Sequence, residues 1–340
     1  MENPLTDAPL FDDFLIKNRL RSAAETADYR PLTGGVSSDI YRVDLPGRTL
    51  CVKRALPKLK VAADWHAPVS RSSFEWGWIS FVAKRFPDYT PTPLAHDPLS
   101  GLFAMAFLSA EDNPLWKAQL LEGNVDTATA AAVGRATARI HAASTLEPAL
   151  PALFDSGDNF HALRLEPYLL ATARAHPEVG PQLHGLAGRT AATRLALVHG
   201  DVSPKNILVG SKGPVFLDAE CAWFGDPAFD LAFCLNHLLL KRLAVPGKAA
   251  ELRAAFDALS AAYLRGVSWE PRAVLEARAA ALLPGLFLAR VDGKSPVEYV
   301  TRDDQREAVR ACALPLIRNP VPTLKEVADA WFSASGPAEG

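Results

Sequence analysis

The fold of this chain is best predicted from the segment Leu197-Val-His-Gly-Asp-Val-Ser-Pro-Lys-Asn-Ile-Leu208. An apolar run leads into Asp201, and apolar residues resume after Asn206, five positions further on. A second apolar run, 214–217, ends at Asp218, twelve positions after Asn206. Short apolar runs bounded by turn residues are typical of buried strands. The pattern predicts that three oxygen-bearing side chains lie at the ends of strands that form one hairpin.

Two carboxylates and an amide in this arrangement are the groups that phosphoryl transfer requires. One carboxylate orients and deprotonates the attacking hydroxyl, while a second carboxylate and an amide oxygen hold Mg²⁺ against the phosphates. Mg²⁺ prefers a few protein oxygens supplemented by phosphate and water, which one Asp and one Asn satisfy. The motif therefore indicates an ATP- and Mg²⁺-dependent kinase.

The sequence before this motif has the pattern of a small β-sheet. Short runs rich in β-branched and aromatic residues are separated by Gly34-Gly35 and Pro46-Gly47, as in consecutive hairpins. Glycines let a backbone approach a phosphate closely. Lys53 lies on the strand that follows, and Glu75 lies on the next predicted helix, where it can pair with the lysine. Such a pair holds the α- and β-phosphates in kinases.

Helical sequence patterns occur in several other parts of the chain. We expect helices at 11–21, at 72–86 with Ser72 or Ser73 as N-cap, and at 126–143, and a strand at 102–109. After 109 the chain is mainly helical with short embedded strands. These elements predict an α+β fold with two lobes around a cleft, the place where ligands bind.

Composition restricts the alternatives. The 340 residues are 49% hydrophobic with a net charge of −2, so a sizeable core is expected and no basic run suggests a nucleic-acid or membrane partner. Four scattered cysteines fit a reducing compartment. The N-terminus lacks an apolar signal region and no run of about 20 apolar residues occurs, so we expect a cytoplasmic protein. The sequence gives no indication of oligomeric state.

The motifs resemble those of a known superfamily. HGDVSPKN at 199–206 is similar to the HGDxxxxN loop of the aminoglycoside phosphotransferases and choline kinases, small-molecule relatives of the protein kinases. LDAECAWFGDPAFDLA at 217–232 is similar to their DxE...GDPxxDLA segment. The resemblance covers roughly 28–310. It implies a bilobal protein-kinase-like fold, with a nucleotide-binding lobe at 1–108, a catalytic and acceptor-binding lobe at 109–333 and a frayed tail at 334–340.

The resemblance also implies a role for individual residues. Asp201 corresponds to the catalytic base, Asn206 and Asp218 to the Mg²⁺ ligands, and Lys53 with Glu75 to the phosphate-clamp pair. The remaining matches are Gly34, Gly35, Ser37 and Ser38 in the phosphate-covering loop, and Ala106 and Leu108 in the hinge whose backbone bonds adenine. The protein kinases have Arg at the position of Gly200, so regulation by activation-loop phosphorylation is not expected.

Several residues near the motif allow more than one interpretation. We expect structural roles for His199 and His141. We expect Asp230 to cap the loop or the helix that it begins. Lys205 and Glu220 are open between a catalytic and a structural role. Candidates for the acceptor pocket are Asn236, His237, Arg290, Asp292, Lys294 and Glu298.

The acceptor itself is a hydroxyl of a small metabolite whose identity stays open. One alternative is a resistance kinase acting on aminoglycosides, although residues 236–330 contain more basic than acidic side chains, which disfavours a polycation. The other alternative is a catalytically inactive nucleotide-binding protein. The presence of Asp201, Asn206, Asp218 and Lys53 together argues against it.

Overall fold

The computed structural model describes residues 8–32, 38–57 and 69–333. Gly34, Gly35 and Ser37, assigned to the phosphate-covering loop, and the tail 334–340 lie outside the described residues. Contacts between residues divide the chain into two compact units, Met1–Asp112 and Asn113–Gly340.

The first unit is built on a five-stranded antiparallel sheet with strand order β1-β2-β3-β5-β4. Its elements are α1 (Ala8–Lys17), β1 (Asp28–Pro31), β2 (Ser38–Leu45), β3 (Arg48–Ala55), α2 (Arg71–Arg85), a 3₁₀ turn (Pro87–Tyr89), β4 (Pro93–Asp97) and β5 (Leu102–Ala106). Alternate residues of β2, such as Tyr41 and Val43, pack with Val52 of β3 against Phe11 and Phe14 of α1. The period-2 pattern of β2 thus buries one face of the sheet under the first helix.

Predicted boundaries of three elements in this unit were wrong. The first helix ends at Lys17 rather than at 21, and Arg19 adopts a left-handed conformation with φ 58° just beyond it. The second helix begins at Arg71, so Ser72 and Ser73 lie inside it; the residue before it, Ser70, makes no side-chain cap. Strand β5 ends at Ala106, three residues earlier than predicted.

The second unit is mainly helical. Its helices are α3 (Trp116–Leu121), α4 (Thr127–Ser144), α5 (Leu150–Leu153), α6 (Gly157–Phe160), a π-helical segment (His161–Leu170), α7 (Ala171–Ala175), α8 (Gly180–Ala192), α9 (Ala228–Ala244), α10 (Ala249–Arg265), α11 (Arg272–Asp292), α12 (Asp303–Arg318) and α13 (Leu324–Ser333). Its strands are β6 (Ala196–Val198), β7 (Ile207–Gly210), β8 (Gly213–Phe216) and β9 (Trp223–Gly225), and 3₁₀ turns lie at Pro177–Val179, Pro204–Asn206 and Pro246–Lys248. The predicted order, a small antiparallel sheet followed by a larger helical body, is confirmed.

The core of the second unit surrounds α9, which is buried along almost its whole length. Helix α4 begins as the sequence indicates: Asp126 accepts hydrogen bonds from the backbone N–H groups of Ala128 and Thr129. Helices α4 and α10 approach closely at Gly134, where a Cβ would lie 2.3 Å from the carbonyl oxygen of Leu259. These helices support the short strands that flank the motif residues described below.

None of the helices in the described residues combines the length and apolar character needed to cross a membrane. The four cysteines form no disulfide, and Cys51, Cys221 and Cys234 are buried.

Candidate active site

The loop 199–206 leaves β6 through a sharp turn at Gly200. This residue has φ 78°, and a Cβ there would lie 2.7 Å from the carbonyl oxygen of Cys221, so only glycine fits. The backbone N–H groups of His199 and Gly200 each donate to the carboxylate of Asp230, at 2.8 Å. Asp230 lies in the first turn of α9 and therefore fixes the start of the loop to the core, which confirms its predicted capping role.

The two histidines near this loop have structural partners. His141 Nε2 lies 3.1 Å from Asp230 Oδ2 and its Nδ1 lies 2.8 Å from the hydroxyl of Tyr263. The backbone N–H of Asp201 donates to His199 Nδ1, while His199 Nε2 lies 3.1 Å from the carbonyl oxygen of Leu217. Burial lowers the pKa of His199, so its ring is neutral with the proton on Nε2. His199 thus connects the loop to the segment that carries Asp218.

The carboxylate of Asp201 is held by two cations on one oxygen. Its Oδ2 lies 2.9 Å from Arg164 Nη2 and 3.1 Å from Lys205 Nζ. Its Oδ1 is buried and has no hydrogen-bond partner among the described residues. Burial acts to raise the pKa of Asp201, but Arg164 and Lys205 outweigh it, so the pKa lies below its usual value. Asp201 is therefore a carboxylate with one oxygen fixed and one available.

Arg164 was not identified from the sequence. Its Nε also donates to the carbonyl oxygen of Gly200 at 2.6 Å, so a single guanidinium holds both the backbone and the side chain of the loop. It lies in the π-helical segment, a rare conformation that is frequent at functional sites. One signal was available: a charged residue flanked by Leu163 and Leu165, inside an apolar helical stretch interrupted by Pro167.

Asn206 and Asp218 lie at the open end of one hairpin. Strands β7 and β8 pair Ile207 with Phe216, and the N–H of Leu217 donates to the carbonyl oxygen of Asn206 at 2.9 Å. Asp201 is not part of this hairpin, contrary to the prediction, because β6 pairs with β9 instead. The loop nevertheless joins the two, since Asn206 Nδ2 donates to the carbonyl oxygen of Asp201 at 3.2 Å.

The donor set at this hairpin fits a hard cation. The amide nitrogen of Asn206 is engaged by Asp201, which leaves its oxygen for a ligand. Asp218 is partly exposed and has φ 65°, a left-handed conformation that costs an L-residue about 1–2 kcal/mol. Its charge acts on the pKa of both Asp201 and Lys205. One carboxylate and one amide oxygen are the ligands that Mg²⁺ takes beside phosphate oxygens.

In the first unit, Lys53 and Glu75 form a buried ion pair. Lys53 Nζ lies 2.8 Å from both carboxylate oxygens of Glu75, and each side chain is 3% exposed. Strand β3 and helix α2 supply the two residues, as the sequence indicated. Ser38 begins β2 and is buried. Ala106 ends β5 and donates its N–H to the carbonyl oxygen of Thr92, and Leu108 lies beyond the strand.

A basic pocket in the second unit adjoins Asp201 through Lys205. Its lining residues are Lys117, Pro204, Lys205, His237, Lys241, Arg290, Val297, Glu298 and Tyr299. Of the predicted pocket candidates, His237, Arg290 and Glu298 line it. Asp292 instead binds Arg310 and His176, and Lys294 binds Glu166. Lys241 was missed, although it lies one helical turn after His237 and so shares its face of α9.

The chain is similar to known proteins of one enzyme family. A model of the phosphotransferase enzyme family matches residues 28–240. The methylthioribose kinase of Erwinia tasmaniensis is 26% identical over 274 residues, covering 67% of this chain and 68% of that protein. The methylthioribose kinase of Pectobacterium atrosepticum is 25% identical over 232 residues, covering 60% of this chain and 57% of that protein.

A solved structure shows a similar fold. An amicoumacin kinase in complex with AMP-PNP, Ca²⁺ and Ami superposes with a TM-score of 0.57 at 13% identity, covering 87% of this chain and 90% of that one.

Proposed function

Since this chain belongs to the phosphotransferase enzyme family, we propose that it transfers the γ-phosphoryl group of ATP to a hydroxyl of a small metabolite in a Mg²⁺-dependent reaction. The acid, amide and lysine side chains described above supply the parts that such a reaction requires.

One observation carries the proposal: the Asp201 carboxylate is fixed on Oδ2, while its buried Oδ1 has no hydrogen-bond partner in the part of the chain that the structure describes. A buried acceptor atom without a partner costs about 1–3 kcal/mol. An acceptor hydroxyl that donates to Asp201 Oδ1 satisfies this atom. Because Arg164 keeps the pKa of Asp201 low, the carboxylate is ionised at neutral pH and acts first as the hydrogen-bond acceptor that orients the hydroxyl.

We assign the remaining predicted residues to binding of either the metal ion or the nucleotide. Asn206 and Asp218 would hold Mg²⁺, which would offset charge on the phosphate oxygens. Lys53, held by Glu75, positions the phosphates as a point charge. Ser38, with Gly34, Gly35 and Ser37, covers the phosphates, and the backbone at Ala106 and Leu108 bonds adenine. The unpaired cysteines fit the reducing cytoplasm, where ATP is available.

The test is a phosphorylation screen with ATP and Mg²⁺ against hydroxylated metabolites, read by the mass of one added phosphoryl group. Methylthioribose belongs in the panel because both curated relatives are named for it. The Asp201→Asn variant serves as control, since it keeps the shape of the side chain. Transfer that needs no Mg²⁺, or that persists at the wild-type rate in Asp201→Asn, contradicts the proposal.

A further inference from the structure

Two cations of the basic pocket form no ion pair with a carboxylate of the residues that the structure describes. Lys117 Nζ binds Glu298 at 2.5 Å and Lys205 Nζ binds Asp201 at 3.1 Å, so these two lysines are compensated. Among the described residues, the side chain of Arg290 donates hydrogen bonds only to neutral groups, namely the hydroxyl of Tyr168 and the carbonyl oxygen and hydroxyl of Ser295. Lys241 pairs with no carboxylate in the part of the chain that the structure describes. The pocket therefore has an excess of positive charge.

Lys241 is the strongest indication that this pocket binds an anion. It is 1% exposed, and no described residue makes a hydrogen bond to its ammonium group, which lies 3.7 Å from the centre of the Tyr299 ring. Burial, and then the nearby charge of Lys117, lower its pKa to about 7. A buried ammonium without an anionic partner is costly, and proteins rarely keep one without a use.

Other polar atoms of the same pocket also lack partners. Arg290 Nε, His237 Nε2 and the hydroxyl of Tyr299 are buried and make no hydrogen bond among the described residues. Arg290 Nε–H, the Tyr299 hydroxyl and the Lys241 ammonium are all donors. Several unsatisfied donors lining one pocket match a ligand group that is rich in acceptor oxygens.

We propose that this pocket recognises the phosphate acceptor through an anionic group, a carboxylate or a phosphate, bound by Lys241 and Arg290. The identification of the bound molecule as the acceptor rests on the proposed function. Lys205 lines the pocket and contacts Asp201, so a small molecule whose anionic end lies between Lys241 and Arg290 extends toward Asp201. The acceptor class is thus a small hydroxy acid or a hydroxylated phosphate ester.

The same features exclude the polycationic alternative. Several ammonium groups would need free carboxylates, but Glu298 is bound to Lys117 and Asp292 to Arg310. A compact anion therefore fits the charge of this pocket better than an aminoglycoside does.

The experiment uses four probes that share a three-carbon skeleton and differ in charge. Glycerate carries a carboxylate, glycerol 3-phosphate a phosphate, glycerol no charge, and 3-amino-1,2-propanediol an ammonium. Binding of each to the full chain is measured by calorimetry, and phosphorylation of each is measured with ATP and Mg²⁺. We expect at least one anion to bind about ten- to a hundredfold more tightly than glycerol, and the amine to bind most weakly. Which anion binds more tightly distinguishes carboxylate from phosphate.

Two variants assign the effect to the pocket. Lys241→Met removes the charge at nearly constant volume and is expected to reduce anion affinity toward that of glycerol, while Arg290 remains and Tm stays the same or rises. Lys294→Met is the matched control, because this lysine binds Glu166 and does not line the pocket. It is expected to leave anion affinity unchanged.

The outcomes separate this inference from the proposed function. Equal binding of all four probes, tighter binding of the amine, absence of binding by both anions, or full anion affinity in Lys241→Met overturns the anionic pocket. Anion binding without phosphorylation of any compound in a wider hydroxyl panel supports the pocket and contradicts the kinase proposal. Phosphorylation of neutral acceptors without any preference for anions supports the kinase proposal and contradicts the anionic pocket.

Discussion

Arg164 Nη2 lies 2.9 Å from Asp201 Oδ2, while Nε of the same guanidinium donates to the carbonyl oxygen of Gly200. Both side chains are almost fully buried. One arginine therefore fixes the position of the proposed base and keeps its carboxylate ionised. Because it contacts the base and is not proposed to contact substrate, we regard it as a positioning residue.

The first prediction concerns this pair. Arg164→Met removes a cation that lowers the pKa of Asp201, so that pKa should rise. The acid limb of the kcat/KM profile should then move to higher pH, with a lower kcat and an unchanged KM for ATP. A pH–rate series on both proteins measures this. An unmoved acid limb together with a raised KM for ATP would show that Arg164 acts elsewhere.

Stability provides the control for this variant. Breaking a buried ion pair by removing one partner costs about 3–5 kcal/mol, since the other charge stays buried. The double variant Arg164→Met, Asp201→Asn removes both charges and should recover much of that loss. Urea unfolding of the two single variants and the double variant forms the cycle.

The second prediction is that Asp201→Asn lowers kcat by about 10²–10⁴ and leaves nucleotide affinity intact. The amide keeps the shape of the side chain but cannot accept the proton of the hydroxyl, and the nucleotide does not depend on it. Rate measurements and ATP titration of the folded variant test this. Loss of ATP binding in a folded Asp201→Asn protein would assign this residue to the nucleotide site.

The sequence predicted the fold and the local motif well, but it did not identify every residue of the candidate site. The loop motif predicted the family, the fold class and the small-molecule kinase class, all of which are confirmed. A dense polar motif between apolar strands carries that information locally. Arg164 and Lys241 could not be assigned in the same way, because each becomes meaningful only when a distant segment packs against it. Arg164 precedes its partner Asp201 by 37 positions and lies in an irregular helix.

The predicted hairpin also shows that sequence spacing predicts local strand pairing better than pairing between distant strands. Asn206 and Asp218 are brought together by the local pairing of β7 and β8, which spacing predicts well. Strand β6 pairs with β9. The partner of β6 is determined by packing against the core, and a short apolar run in the sequence does not predict it.

The third prediction tests the metal site. Asp218→Asn removes the charge that a hard cation requires, while Asn tolerates the left-handed conformation at φ 65°. We expect the Mg²⁺ concentration for half-maximal rate to rise and kcat to fall by about a hundredfold or more, with Tm nearly unchanged. Wild-type rates across a Mg²⁺ titration would remove Asp218 from the metal site.

The fourth prediction concerns the buried pair in the first unit. Lys53→Met and Glu75→Gln should each raise KM for ATP, because the glutamate acts by holding the lysine. If so, the double variant is little worse than Lys53→Met alone, since both changes remove one interaction. Steady-state kinetics on the three proteins decides this; fully additive effects would mean that the two residues act independently.

The last prediction follows from the pKa of Lys241, which is lowered from 10.5 to about 7 by burial and by Lys117 and Arg290, against the opposing charge of Glu298. Between about pH 7 and 10.5 the unfolded chain binds a proton that the folded chain releases. The free energy of unfolding therefore rises with pH in this window through Lys241, by up to about 1.4 kcal/mol per pH unit. Below pH 7 the lysine is protonated in both states, and the full cost of the buried charge remains.

Lys241→Met lacks this titration, so the variant should exceed the wild type in stability most clearly near pH 6.5, and the difference should shrink as pH rises toward 9.5. Urea unfolding of both proteins at each pH gives the difference, in which other titrating groups cancel. A saturating anionic probe that binds beside Lys241 raises its pKa and should abolish the advantage of the variant at low pH. A difference that is constant with pH would show that Lys241 keeps its ordinary pKa in the folded protein and that the pocket already compensates its charge.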